Sequence, residues 1–101
     1  MKNYIEIFNL ESQMFIYNIS FLSNIIIKQI FPLNNGNLLI VYYEDSRYNP
    51  NKNYKDNYKV METVIVDRKI FIVKKFDIRV KSIISQLKNG TIIYNQGINT
   101  K

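Results

Sequence analysis

Between Tyr42 and Tyr58, five tyrosines (Tyr42, Tyr43, Tyr48, Tyr54 and Tyr58) alternate with Arg47, Lys52, Lys55 and several asparagines. A phenol ring offers a stacking face worth about 1–3 kcal/mol per unpaired base. Tyr and Arg are also enriched at the centres of protein–protein contacts. These types at this density predict partner binding at Tyr42, Tyr43, Arg47, Tyr48, Tyr54 and Tyr58. The plainer alternative is a solvated hairpin tip whose rings pack on their own strands.

A second group is basic: Arg68, Lys69, Lys74, Lys75, Arg79, Lys81 and Lys88. Residues 1–50 carry a net charge of −1 and residues 51–101 a net +7, so the whole positive excess lies in the second half. Gathered on one face, these cations would hold phosphates, with the steep salt dependence of counterion release. Scattered, they would keep the surface soluble and discourage edge-to-edge pairing of strands.

Other chemistry is missing. The chain has neither His nor Cys, which removes the usual general base, the thiol nucleophile and the commonest metal ligands. Glu44 and Asp45 are adjacent, so on a strand they point to opposite faces and cannot converge on one substrate atom. No phosphate-binding glycine loop, dinucleotide fingerprint, calcium loop or nucleophile elbow occurs, and the three glycines are isolated. Asn18-Ile19-Ser20 and Asn89-Gly90-Thr91 match the glycosylation pattern, but no secretory signal pattern accompanies them. The expectation is a protein that is not an enzyme and uses no cofactor or metal.

The elements that would position these residues can be read from periodicity. Tyr4 to Leu10 reads as a strand, with Ile5, Ile7 and Asn9 on one face and Tyr4, Glu6 and Phe8 on the other. After a polar break at Glu11-Ser12-Gln13, Met14-Phe15-Ile16-Tyr17 resumes, which makes a hairpin. Residues 21–31 are ambiguous: Leu22, Ile25, Ile26 and Ile30 can share a helix face, whereas Ile25-Ile26-Ile27 favours a strand. Asn34-Asn35-Gly36 is a turn, and Leu38-Leu39-Ile40-Val41-Tyr42-Tyr43 a strand. Residues 44–57 are polar and read as a long loop. Strands at 58–66 and 69–76 flank a tight turn at Asp67-Arg68. Asp77 is placed to cap a helix over 78–88, with Val80, Ile83, Ile84 and Leu87 as its apolar stripe and Asn89-Gly90 as its stop. Thr91-Ile92-Ile93-Tyr94 makes a last strand, and from about residue 95 the chain should fray.

Composition leans the same way. Ile, Phe, Tyr and Val favour strands, and Ala is absent. At 101 residues there is room for one domain. The richness in Asn, Lys, Ile and Tyr is what an AT-rich coding sequence produces. The apolar stretch 19–33 carries Asn24, Lys28 and Gln29 and is too short to span a membrane. Lack of Cys fits a reducing compartment, and a cytoplasmic location is expected.

A weak repeat runs through the chain. Met14-Phe15-Ile16-Tyr17 and Leu33-Asn34-Asn35-Gly36 return as Ile70-Phe71-Ile72-Val73 and Leu87-Lys88-Asn89-Gly90, offset by 56 residues at the first match and 54 at the last. The preferred reading is an α+β fold, an antiparallel sheet with one or two helices built as a duplicated ββαβ unit. The alternative is all-β, and there the apolar strand, Leu-x-Asn-Gly turn and second strand resemble two blades of a β-propeller. Such a resemblance implies self-association, because two blades cannot close a ring.

These features lead to an expected function: a small interaction protein that occupies a protein or ribonucleoprotein partner. Viral or mobile-element inhibitors of nucleic-acid-handling machines, anti-CRISPR proteins among them, have this profile. Direct RNA or DNA binding, including ribosome association, is the alternative, and a self-assembling structural or lectin-like module is the third.

Overall fold

A computed structural model describes residues 4–20, 24–44 and 58–96. Eight strands succeed one another: β1 (Tyr4–Asn9), β2 (Met14–Ser20), β3 (Ile25–Pro32), β4 (Leu38–Glu44), β5 (Lys59–Val66), β6 (Lys69–Phe76), β7 (Ser82–Gln86) and β8 (Ile92–Asn95). They form three antiparallel sheets: the hairpin β1–β2, a four-stranded meander β3-β4-β5-β6, and the hairpin β7–β8.

The architecture is therefore all-β among the described residues, and the α+β expectation is corrected. Residues 78–88 hold β7 and the start of a turn instead of a helix. The apolar stripe did not distinguish the two outcomes. A helix would bury all four of its members, but Val80 and Ile83 are buried at 0% and 5% exposure while Ile84 is 60% and Leu87 45% exposed. Side-chain alternation about β-branched residues, not a period of 3.6, governs this stretch. Asp77 accordingly caps nothing and lies exposed in the link from β6 to β7. The ambiguous segment before Pro32 is likewise a strand from Ile25, and Pro32 is tolerated because β3 is an edge strand.

Local chemistry explains the turns. Asp67 (φ 52°) and Arg68 (φ 64°) both adopt left-handed backbone between the paired residues Val66 and Lys69. Two positive φ values in a two-residue loop make the hairpin connection whose twist matches its strands. At the β3–β4 turn Gly36 has φ +90°, a conformation that costs a side chain roughly 1–2 kcal/mol. Asn37 and Asn35 of this turn donate to Glu62 Oε2 at 2.7 and 3.4 Å, which ties the turn to β5.

Alternation along β4 gives the central sheet two apolar faces. On one, Ile40, Tyr42 and Met61 meet Ile5 and Ile19 of the β1–β2 hairpin and Ile25 of β3. On the other, Leu39, Val41 and Val60 meet Val80 and Ile83, with Ile92 and Tyr94 packed around them. The meander is thus a filling between two hairpins. Each side chain of this size withdrawn from water contributes about 1.5–3 kcal/mol. Buried Thr63 is satisfied, its hydroxyl donating to the Leu38 carbonyl at 3.2 Å.

Polar bonds dock the β7–β8 hairpin as well. The Gln29 amide behaves as a piece of strand backbone: Nε2 donates to the Ile83 carbonyl at 3.0 Å, and Oε1 accepts from the Ile83 N–H at 2.7 Å. Beyond it, the Asn34 N–H donates to Gln86 Oε1 (2.7 Å) and Asn34 Nδ2 to the Leu87 carbonyl (3.0 Å). Replacing Gln29 by Leu strands two partly buried backbone groups. A loss of about 2–4 kcal/mol is expected, with amide exchange at Ile83 accelerating by two orders of magnitude or so, at roughly 1.4 kcal/mol per decade. Exchange at Ile83 unchanged from the parent protein would show that the amide pair is not made.

Candidate functional site

The chain leaves β4 at Glu44 and re-enters the described structure at Tyr58, at the end of the sheet opposite the β3–β4 and β5–β6 turns. There an open cleft of about 510 Å³ is lined by Tyr42 and Glu44 of β4, Tyr58 and Lys59 at the start of β5, Lys75 and Phe76 at the end of β6, and Asp77, Ile78 and Arg79 of the link to β7. Three neighbouring strands and one link bring residues far apart in sequence to one place.

Within it, Lys59 Nζ lies 3.4 Å from Glu44 Oε1, both side chains being about one-third exposed. In that setting the pair contributes at most about 1 kcal/mol and mainly orients the two groups. The Tyr58 ring meets the edge of Tyr43 at a centroid distance of 5.5 Å and an angle of 73°. Lys28 Nζ stands 5.9 Å from the same ring, a cation over an aromatic face. Tyr42 is nearly buried, and desolvation, assisted by the Glu44 charge, raises its phenol pKa above the ordinary 10.0. It therefore remains a neutral hydrogen-bonding group at physiological pH. Lys75 and Arg79, which also line the cleft, are exposed.

The Tyr-rich prediction is thus partly located. Tyr42 and Tyr58 line the cleft and Tyr43 packs against Tyr58, while Arg47, Tyr48 and Tyr54 lie outside the described residues. The basic set is divided. Lys75 and Arg79 line the cleft, and Lys81 follows just before β7. Lys74 and Lys75 are successive on β6 and so project to opposite faces, with Lys74 Nζ 5.4 Å from the Phe76 ring. Arg68 and Lys69 sit at the β5–β6 turn, the far end of the sheet. Lys88 is in the β7–β8 turn, which Asn34 anchors to that same far end.

Sequence reasoning did not place Lys59, Phe76 or Asp77 at a binding site, Asp77 having been read only as a helix cap. Lys59 adjoins Tyr58 and could have been added on that ground, whereas Phe76 joins only through the pairing of β5 with β6, in which Val60 opposes it. No group of His, Cys, Asp and Glu suited to a metal ion occurs among the described residues, and no helix among them is long and apolar enough to cross a membrane. The class of protein that fold and cleft define is a small all-β domain with an aromatic and cationic pocket at one sheet end. Comparison with family models, curated proteins and solved structures gives no match.

Proposed function

We propose that this is a non-catalytic binding module, which holds an acidic surface of a protein or ribonucleoprotein at the cleft between β4, β5 and β6. One observation carries the reading: Tyr42, Tyr58 and Phe76 converge with Lys59, Lys75 and Arg79 around a single opening. Rings supply contact area at low entropic cost and the cations supply charge selection, the combination found at interaction hot spots. Among the described residues that line the cleft, the carboxylates are Glu44, engaged by Lys59, and Asp77. An inhibitor from a virus or mobile element acting in a host cytoplasm is one form of this proposal, supported by small size and composition alone.

Direct nucleic-acid binding has weaker support, because Arg68, Lys69 and Lys88 stand at the opposite end of the sheet from Lys75 and Arg79. One experiment separates the two readings. Chemical cross-linking in a host lysate, read by mass spectrometry, is run beside titration of labelled single- and double-stranded oligonucleotides at two salt concentrations. Partner cross-links through Lys59 and Lys75 are expected, with at least about a tenfold loss of affinity (~1.4 kcal/mol) in the Lys75→Glu, Arg79→Glu double variant. Tight oligonucleotide binding that collapses with salt would transfer the proposal to nucleic acid. Partner capture indifferent to the double variant would dismiss the cleft.

A further inference from the structure

The two hairpins are halves of the central sheet, made a second time. In the β3–β4 turn the Leu33 N–H donates to the Asn37 carbonyl (2.8 Å), the Gly36 N–H to the Leu33 carbonyl (3.0 Å), and the Asn37 N–H to Asn35 Oδ1 (2.9 Å). In the β7–β8 turn, Leu87 donates to Thr91 (2.8 Å), Gly90 to Leu87 (2.9 Å), and Thr91 to Asn89 Oδ1 (3.0 Å). Gly36 and Gly90 match at φ +90° and +96°. The β7–β8 turn is thus a second β3–β4 turn, although the bulge of β7 at Ile84 lies two residues nearer its turn than the bulge of β3 at Lys28.

The β1–β2 hairpin is in the same way a second β5–β6. Ile7 pairs with Tyr17 and Phe8 with Phe15, leaving Ile16 as a bulge; Glu62 pairs with Lys74 and Thr63 with Ile72, leaving Val73 as the same bulge. Two residues before each bulge, Ile5 opposite Ile19 stands where Val60 opposite Phe76 stands. Burial agrees with this match. Ile5 packs onto the sheet that follows it in the chain, and Val60 packs onto the hairpin that follows it.

The described chain therefore reads as second half-sheet, whole sheet, first half-sheet, so each hairpin lacks what the other is. They cannot complete each other within one copy. They lie on opposite faces of the meander, and two face-to-face packing steps of about 10 Å each separate them. A second copy has the missing half in the required form.

We infer that copies associate head to tail, β8 of one adding to β1 of the next to complete a four-stranded sheet β7-β8-β1-β2. The β4–β5 ladder supplies the register. Leu38 opposite Thr63, Leu39 opposite Glu62 and Ile40 opposite Met61 become Ile92 opposite Phe8, Ile93 opposite Ile7 and Tyr94 opposite Glu6 across the junction.

The exposed apolar residues fall where this junction needs them. Phe8 and Phe15, paired on the outer face of β1–β2, are 52% and 53% exposed. Phe71, 50% exposed, pairs with Val64 on the same face of β5–β6 as Val60. In the assembly the outer face of one copy's β1–β2 covers that region of its neighbour, as Ile7 already packs beside Ile65 and Ile70 within one chain. The contact is heterologous, so it gives a ring if the rotation closes. Each copy adds two sheets, and closed rings of four to eight such sheets hold about two to four chains.

The association does not depend on the cleft's proposed role, and its test needs no partner. Light scattering behind size exclusion is expected to give one discrete oligomer, and Ile93→Lys a monomer with an unchanged circular dichroism spectrum. The chain has no cysteine of its own, so register can be probed directly. Ile7→Cys and Ile93→Cys chains, mixed and oxidised, are expected to form a mixed disulfide dimer; Ile7→Cys mixed with Leu87→Cys is not. A protein monomeric at every concentration would overturn the inference. So would an oligomer in which the Ile7–Ile93 pair cross-links no better than the Leu87 control.

Discussion

Replacing Ile40 by Ala is expected to lower the free energy of unfolding by about 3–5 kcal/mol, the upper part of the range for buried aliphatic truncation. Ile40 is fully buried on a central strand, opposite Ile30 of β3 and Met61 of β5. Its side chain packs in the cluster that receives the N-terminal hairpin through Ile5 and Ile19. Both flanking strands are held by ladder bonds and the hairpin covers the third side, so the cavity left behind cannot collapse. For a domain with about 5–15 kcal/mol to lose, that is a large fraction. Urea denaturation should show a lower midpoint with an unchanged slope, and the melting temperature should fall by more than about 10 °C, given roughly 4–8 °C per kcal/mol at this size. Leu10→Ala is the control, since Leu10 is 83% exposed and surface changes stay within about 0.5 kcal/mol. Equal effects at the two positions would mean that β1–β2 does not pack on the meander.

The comparison of Ile40 with Leu10 also shows what kind of information a strand pattern contains. Alternation placed β1, with Ile5 and Ile7 on one face, and an unbroken apolar run bounded by a turn placed β4, which is buried on both faces. Asp67-Arg68 was legible as a turn because it is the polar interruption between two apolar runs. The segment 78–88 was not. Val80, Ile83, Ile84 and Leu87 satisfy a helical stripe and a strand with a bulge equally well, and the bulge between Ile83 and Ser85 has no local signature. What decides is the Gln29 amide, which offers Ile83 a strand-like partner from 54 residues away. A contact of that range is a property of the assembled fold.

The candidate site was readable to a similar depth. Tyr42 and Tyr58 stood out because tyrosines crowd that stretch, and Lys75 and Arg79 because the second half is basic. Composition named the participants but not their grouping. Reading 78–88 as a helix left open whether Arg79, Lys81 and Lys88 could join Lys74 and Lys75 in one patch, whereas strand geometry sends Lys74 and Lys75 to opposite faces and places Lys88 at the far end of the sheet. Which cations share a face depends on the element that carries them, since a period of 3.6 and a period of 2 group the same residues differently.

Val80→Asp tests the other face, and its expected effect is as large. Val80 is fully buried against Leu39, Val41, Val60 and Ile83, so the substitution removes an aliphatic group and sets a carboxylate in apolar surroundings. A cost of about 4 kcal/mol or more is expected. Part of it can be relieved by undocking β7–β8, because besides this cluster the hairpin is held by the Gln29 and Asn34 bonds. Hydrogen exchange should therefore quicken in β7 and β8 before β4 and β5. The pH dependence has a definite sign. Burial favours the neutral acid, so the introduced group has a folded pKa above its unfolded value of about 3.9. Stability lost at neutral pH then returns as pH falls through the folded pKa, whereas Val80→Asn shows no such recovery. Protection in β7 and β8 that survives Val80→Asp would mean the hairpin does not dock through Val80. If it does undock, β8 is no longer held in place to receive β1 of the next copy, and the oligomer should dissociate in parallel with the loss of protection at Ile83.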